Sequence, residues 1–333
     1  MLVTSVTVRV PAKINLQLAV GPPRPDGYHG LVTVFHAVSL FDDVTAAPAE
    51  TDSVTVTGEG AGLVPEDADN LALRAVRALR QSLAERAGAG GGGGVGGGGG
   101  AASGGWADGG VAGVAAGGGV AVTIAKRIPV AGGMAGGSAD AAAALVACNE
   151  LWNTGLSQAE LREVAGRVGS DVAFAVLGKT AIGRGRGELL TPIPSAAPAT
   201  YHWVLALADG HLSTPKVFRE LDRQRQGQEV MDQELSAELM AALSAGDPAK
   251  LGAALSNDLQ EPALTLFPTL RKTLDAGREA GALGALVSGS GPTCFFLAGS
   301  ADEATDLANA LSGAGICRAV ATATGPAAGA SVV

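Results

Sequence analysis

A chain of 333 residues is about twice the size of an ordinary single domain, so two domains are expected. A formal net charge of −9 with no basic stripe excludes a nucleic-acid binder, and 47% hydrophobic but only 4% aromatic residues point to an aliphatic core. Cys148, Cys294 and Cys317 stand apart with no CxxC spacing, and the four histidines are scattered. This excludes a disulfide framework and a zinc cluster, and fits a reducing cytoplasm. No uncharged apolar run approaches the ~18 residues of a membrane span. The first apolar stretch is broken by Arg9 and Lys13, so no secretory signal is expected there.

Alternation of apolar and polar residues predicts strands near Val3–Val10, Ile14–Val20, Leu31–Phe41 and Ser53–Thr57. A helix with an apolar stripe (Leu71, Leu73, Val76, Leu79, Leu83) follows over about 70–86. Residues 88–119 then hold 19 glycines in 32 positions, too little apolar surface to offset ordering entropy, so this insertion is expected to be a flexible loop. Val120–Ala125 reads as a strand running into a Gly-rich turn, and Ala139–Trp152 as a helix. Ser157 and Glu160 form a capping-box pattern that opens another helix to about Val168. Beyond residue 200, strand Tyr201–Ala208, several helices, strands Ala285–Ser288 and Thr293–Ala298, helix Ala301–Leu311 and strand Ile316–Thr322 follow in turn. Setting the extra helices aside, that order is β-α-β-β-α-β, the ferredoxin-like arrangement. Pro192, Pro194 and Pro198 punctuate the junction, which divides the chain into 1–195 and 196–333.

Five segments could carry chemistry. Pro129-Val130-Ala131-Gly132-Gly133-Met134-Ala135-Gly136-Gly137-Ser138-Ala139 lies between strand and helix. Glycines let successive N–H groups converge on one anion, and the helix start adds its free donors and positive dipole end. It has neither the Walker A nor the GxGxxG spacing, and a tight turn needing small residues is the plainer reading. In Pro11–Leu16, Lys13 and Asn15 share one side of a strand, as they would on any surface strand. Pro25-Asp-Gly-Tyr-His29 is a hairpin loop, or a place where Tyr28 stacks on a planar ring while His29 hydrogen-bonds its edge. Asp171, in Gly169–Phe174, is a turn carboxylate or a proton acceptor, and Ser288-Gly-Ser-Gly291 is a hairpin turn or a ligand loop.

Taken in this order, PAKINL, PDGYH, PVAGGMAGGSADAA, GSDVAF and SGSGP resemble the GHMP kinases. PDGYH following PAKINL points to the branch acting on 4-diphosphocytidyl-2-C-methyl-D-erythritol, in the non-mevalonate route to isoprenoids. Asn257-Asp-Leu-Gln-Glu-Pro262 resembles the C-terminal half of that family. The resemblance implies a two-domain α+β fold, an N-terminal nucleotide-binding α/β domain plus a ferredoxin-like C-terminal domain, with the active site between them. It implies ATP along Pro129–Ala139, Asp171 as catalytic base with Lys13 as its partner, Tyr28 and His29 on the cytosine and Asn15 near the substrate. Mg²⁺ is expected to accompany ATP, with the Ser138 hydroxyl a candidate for it. A cytoplasmic monomer or homodimer with no membrane partner is the corresponding expectation. Two rivals stay open at this point: a GHMP kinase for another alcohol, and a nucleotide-binding protein without catalysis. No second aromatic against the base is evident in Gly210–Pro215.

Overall fold

The computed structural model describes residues 4–90, 118–194, 199–230 and 233–333. The expected junction between 195 and 196 and most of the Gly tract (91–117) lie outside the described residues. Strand β1 (Val6–Pro23) pairs antiparallel along nearly its whole length with β2 (His29–Ala49). Two predicted strands are thus one. Register shifts at Pro11/Ala12 and Asn15/Gln17 absorb the irregularity, and Pro11, which has no N–H to give a ladder, sits at the first of them. β2 also runs past its expected end at Phe41. Its continuation carries two acidic residues, of which Asp42 is buried against Lys126 and Asp43 is paired with Arg9.

Helix α1 (Leu71–Gly90) takes in residues 88–90 of the tract and buries Leu73, Val76, Leu79 and Leu83. With β3 (Ser53–Gly58) and β4 (Gly119–Lys126) the sheet order is β3-β4-β2-β1. Helix α2 (Gly136–Leu151) is alanine-rich and buried on nearly every side, which lets it run through the centre of this half. The Ser157–Glu160 capping box opens α3 (Gln158–Val168) as expected. After it come α4 (Ser170–Leu177), β5 (Thr180–Gly185) and β6 (Leu189–Pro192), β5 joining the sheet beside β2.

The second sheet holds β7 (Tyr201–Leu207), β9 (Gly284–Val287), β10 (Cys294–Ala298) and β11 (Ala319–Gly325) in the order β11-β7-β10-β9. Helices α9 (Thr269–Glu279) and α10 (Ala301–Gly313) pack on it through Leu270, Leu274, Leu307 and Leu311, completing the ferredoxin-like unit. Between β7 and β9 the chain inserts α5 (Thr214–Gln224), α6 (Ala237–Ala245), α7 (Pro248–Ala254), β8 (Ser256–Asn257) and α8 (Gln260–Leu266). β8 and the last strand, β12 (Ser331–Val332), both pair with β1, so the C-terminal segment returns to the first sheet.

A buried charge cluster ties the first half together. Lys126, at the end of β4, donates to Asp42 of β2 at 2.6 Å and to Asp140 of α2 at 2.7 Å. Asp42 also accepts the backbone N–H of Arg127 and Ile128. Burial alone would lower the Lys126 pKa, but the charges of Asp140 and Asp42 raise it above the usual lysine value. Asp140 is pushed far above the carboxylate range by burial, with the Asp42 charge adding and Lys126 opposing.

Candidate active site

β4 enters the Gly-rich segment at Lys126 and α2 leaves it at Gly136, so the cluster clamps both ends of this loop. Between them the backbone bends through left-handed conformations at Ala131 (φ 54°), Gly133 (φ 75°) and Ala135 (φ 58°). Each alanine there carries about 1–2 kcal/mol of strain, and such strain concentrates where backbone is shaped for a ligand. Gly133 is obligatory for a second reason. A Cβ there would lie 2.1 Å from the Ser288 carbonyl oxygen and 3.0 Å from that of Gly291. The two glycine loops are thus in contact: Ser288 Oγ donates to the Gly133 carbonyl at 2.9 Å. Asn257 Nδ2 holds the second loop through the carbonyls of Val287 and Gly289.

Helix α2 begins at Ala135 with no side-chain cap, leaving its first N–H groups free for an anion. Of the eleven loop residues singled out above, seven line the cleft: Ala131, Gly132, Gly133, Ala135, Gly136, Gly137 and Ser138. Met134 and Ala139 are buried in the core, and Pro129 and Val130 line a cavity on the loop's far side. A sequence alone does not separate these sets, because the turn geometry decides which way each residue faces.

The cleft has a volume of about 600 Å³ and brings Lys13, Asn15, Asp171 and Gly289–Gly291 to the same space as the cradle. Lys13 is buried, with Nζ donating to Asn15 Oδ1 (2.7 Å) and to the Gly133 carbonyl (3.1 Å). Asn15 Nδ2 in turn donates to Thr33 Oγ1 at 2.8 Å, so the amide is oriented on both sides. Burial pushes the Lys13 pKa below its ordinary value, and the charge of Asp171 works against that fall. Asp171 stands in the first turn of α4, beyond Gly169, rather than in a turn after the preceding helix. The two side chains face one cleft without a direct ion pair among the described residues. Because Lys13 titrates below its usual range, kcat is expected to fall on the alkaline side at a pH below 10.5, as its ammonium is lost. A pH–rate profile checks this, and an alkaline limb at or above 10.5 contradicts it.

Next to this cleft lies a second cavity of about 680 Å³, lined by Tyr28, His29, Arg186, Thr214, Phe218 and Asp222 among others. Tyr28 is 55% exposed at the hairpin tip, with the Arg186 guanidinium 4.7 Å from its ring centre. His29 is buried, donates from Nδ1 to the Gly21 carbonyl at 2.9 Å and has Nε2 3.4 Å from Asp222 Oδ1. Its ring is 5.2 Å from that of Phe218 on α5. Phe218 supplies an aromatic from the second half. Sequence reading missed it because an aromatic four residues into an amphipathic helix looks like core; the Thr-Pro start of α5, which aims the helix at the cleft, was the only signal. A further, smaller cavity of about 330 Å³ adjoins the cradle, with Leu63, Val64, Pro65, Asn70, Leu71 and Val130 in its wall.

Among the described residues no cluster of three or more His, Cys, Asp or Glu could hold a metal. The Ser138 hydroxyl and the Asp171 carboxylate do line the cleft beside the cradle. That donor set suits Mg²⁺, which keeps waters and binds mainly to substrate phosphates rather than to a protein cage.

Family models agree with the geometry: the GHMP kinases N terminal domain matches residues 70–179 and GHMP kinases C terminal matches 239–317. The chain is 52% identical to the 4-diphosphocytidyl-2-C-methyl-D-erythritol kinase of Thermobifida fusca, covering 99% of each chain. With that of Mycolicibacterium smegmatis it shares 51%, covering 99% of this chain and 92% of the other. A crystal structure of 4-(cytidine 5'-diphospho)-2C-methyl-D-erythritol kinase superposes with TM-score 0.69 at 29% identity, over 95% of this chain and 98% of that one. A homoserine kinase from Cytophaga hutchinsonii (TM-score 0.66, 18% identity, covering 100% and 98%) shares the fold. The chain belongs to the GHMP kinases, and within them to the 4-diphosphocytidyl-2-C-methyl-D-erythritol kinases.

Proposed function

We infer that this chain transfers the γ-phosphoryl group of ATP to the 2-hydroxyl of 4-diphosphocytidyl-2-C-methyl-D-erythritol, in the non-mevalonate route to isoprenoids. The observation that carries this is one cleft joining the anion cradle to Lys13 and Asp171, and opening into a cavity edged by Tyr28, His29 and Phe218. A small alcohol such as mevalonate or homoserine would leave the cavity edged by those three rings unfilled. Nucleic-acid contact has no comparable support in an acidic chain. No helix among the described residues is long and apolar enough to cross a membrane, and the unpaired cysteines fit action in the cytoplasm.

The ATP phosphates would rest on the N–H groups of 131–138, with adenine in the small apolar cavity beside Leu71 and Val130. The acceptor hydroxyl would lie between Asp171 and the cradle. As its oxygen bonds to the γ-phosphorus, the bond to the β-γ bridging oxygen breaks and ADP leaves. Asp171 takes the hydroxyl proton, and the buried Lys13 ammonium neutralises charge gathering on the transferred group, in a site dry enough for that charge to count. Asn15, held by Thr33, keeps Lys13 from swinging away. Mg²⁺, when bound with ATP, would be held by the phosphates with Ser138 and Asp171 beside it, and would supply further charge neutralisation.

The test is ADP release with Mg-ATP and the cytidylyl ester, run alongside mevalonate, homoserine and galactose. Turnover confined to the ester is expected, and turnover with another alcohol instead would overturn the acceptor. Tyr28→Ala isolates the base contact. Stacking on a base is worth about 1–3 kcal/mol, so substrate affinity is expected to fall roughly 5- to 150-fold with ATP affinity unchanged. Equal substrate affinity in variant and parent would remove Tyr28 from the site.

A further inference from the structure

We propose that Arg186 is the residue that recognises the diphosphate of the acceptor substrate, and so selects a nucleoside-diphosphate-linked alcohol over a free one. The inference rests on the acceptor assigned above and adds to it a residue that neither the motifs nor the transfer chemistry required.

The transfer cleft and the aromatic cavity meet at a neck. The residues lining both are Leu31, Gly169, Ser170, Arg186, Thr214 and Phe218. Arg186 is the charged member of that set. A substrate with its base among Tyr28, His29 and Phe218 and its hydroxyl at Asp171 must thread its two phosphates through this neck. Two negative charges passing between apolar and neutral groups need a cation, and a guanidinium offers a planar fork that matches phosphate oxygens.

Local structure places the side chain for this. Arg186 sits in the turn after β5 between Gly185 (φ 74°) and Gly187 (φ 101°), both in the left-handed region. Ser170 Oγ donates to the Arg186 carbonyl at 3.1 Å, which ties the turn to the start of α4 one residue from Asp171. The Glu188 carboxylate is taken up by the Arg186 backbone N–H rather than by its guanidinium. Among the described residues the guanidinium has no carboxylate partner, and its contact is the face of Tyr28. Two other arginines near the outer cavity do not reach the neck. Arg167 is paired with Glu85 at 2.8 Å, and Arg219 lines the outer cavity alone. An unpaired guanidinium laid on an aromatic ring is pre-oriented at little entropy loss and keeps its fork free for an anion.

The experiment compares binding of CDP and cytidine to the full chain by calorimetry, in the parent, Arg186→Gln and Arg186→Lys. In the parent, CDP is expected to bind at least tenfold more tightly than cytidine. Arg186→Gln should remove most of that ratio while cytidine binding stays within about threefold, and Arg186→Lys should restore part of it. In turnover, Arg186→Gln should raise KM for the ester far more than it lowers kcat, with KM for ATP unchanged. A CDP-to-cytidine ratio that survives in Arg186→Gln would overturn the assignment. A parent that binds both equally would overturn it too, leaving the base cavity intact. A parent that binds neither would sink both this proposal and the acceptor on which it rests.

Discussion

Asp171→Asn is expected to reduce kcat by about 10²- to 10⁴-fold, the range over which a positioned proton acceptor contributes, while the Kd for ATP stays within a few-fold. Asparagine keeps the size and one carbonyl oxygen of aspartate but cannot take the hydroxyl proton. The ATP cradle is made of backbone N–H groups on a loop apart from Asp171, and Mg²⁺ would keep the phosphates and Ser138, so nucleotide binding should change by no more than that few-fold. A second readout comes from Lys13. Its pKa is depressed by burial, and the Asp171 charge is what opposes that depression. Removing the charge lowers the Lys13 pKa further, so the residual activity should lose its alkaline limb at lower pH than in the parent. The pair of measurements is single-turnover rate against pH, with ATP binding followed separately. A kcat near that of the parent would show that the proton leaves by another route and that Asp171 is not the base.

Much of this site was readable because its parts are local. Period-two alternation puts Lys13 and Asn15 on one side of a strand, and the structure joins them by a hydrogen bond of 2.7 Å. The cradle is readable because only small residues allow its bends. What escaped is what depends on distant partners. Arg186 and Phe218 belong to a turn and a helix whose approach to the cleft is set by tertiary packing, and each reads singly as a surface cation or a core ring. The strand ends escaped for the same reason. A strand ended at Phe41 stops short of Asp42 because a buried carboxylate is explained only when Lys126, 84 positions away, is placed beside it. Asp171 reads as a turn carboxylate just after a helix because Gly169, extended at φ 175°, leaves no sequence mark beyond a glycine to show that a new helix starts.

Lys126 offers the largest effect on stability. It neutralises two carboxylates that are all but fully buried, Asp42 and Asp140, bonding Asp140 through Oδ2, while Asp140 Oδ1 has no hydrogen-bond partner among the described residues. Lys126→Met keeps the aliphatic stem and deletes the charge, leaving Asp42 and Asp140 facing each other in a low dielectric with no cation between them. Breaking a buried ionic group in this way costs about 3–5 kcal/mol, a fall in Tm on the order of 10 °C for a chain of this size. The loss has a predictable sign with pH. In the variant Asp140 loses the one charge that opposes its burial, so its folded pKa rises still further above its unfolded value. A raised carboxylate pKa gives stability that is complete below the unfolded pKa and drains away as pH climbs toward the folded one. The parent itself holds Asp140 protonated up to about pH 8, so the two chains lose stability in parallel below that pH and the difference between them should widen above it, measured by thermal unfolding at each pH. Because Lys126 and Asp140 also bracket the nucleotide loop, the variant at pH 5, where it is most stable, should still bind ATP more weakly than the parent. Equal Tm values at pH 8 would mean that the two carboxylates share a proton without strain and that the cluster is not what holds the loop's ends together.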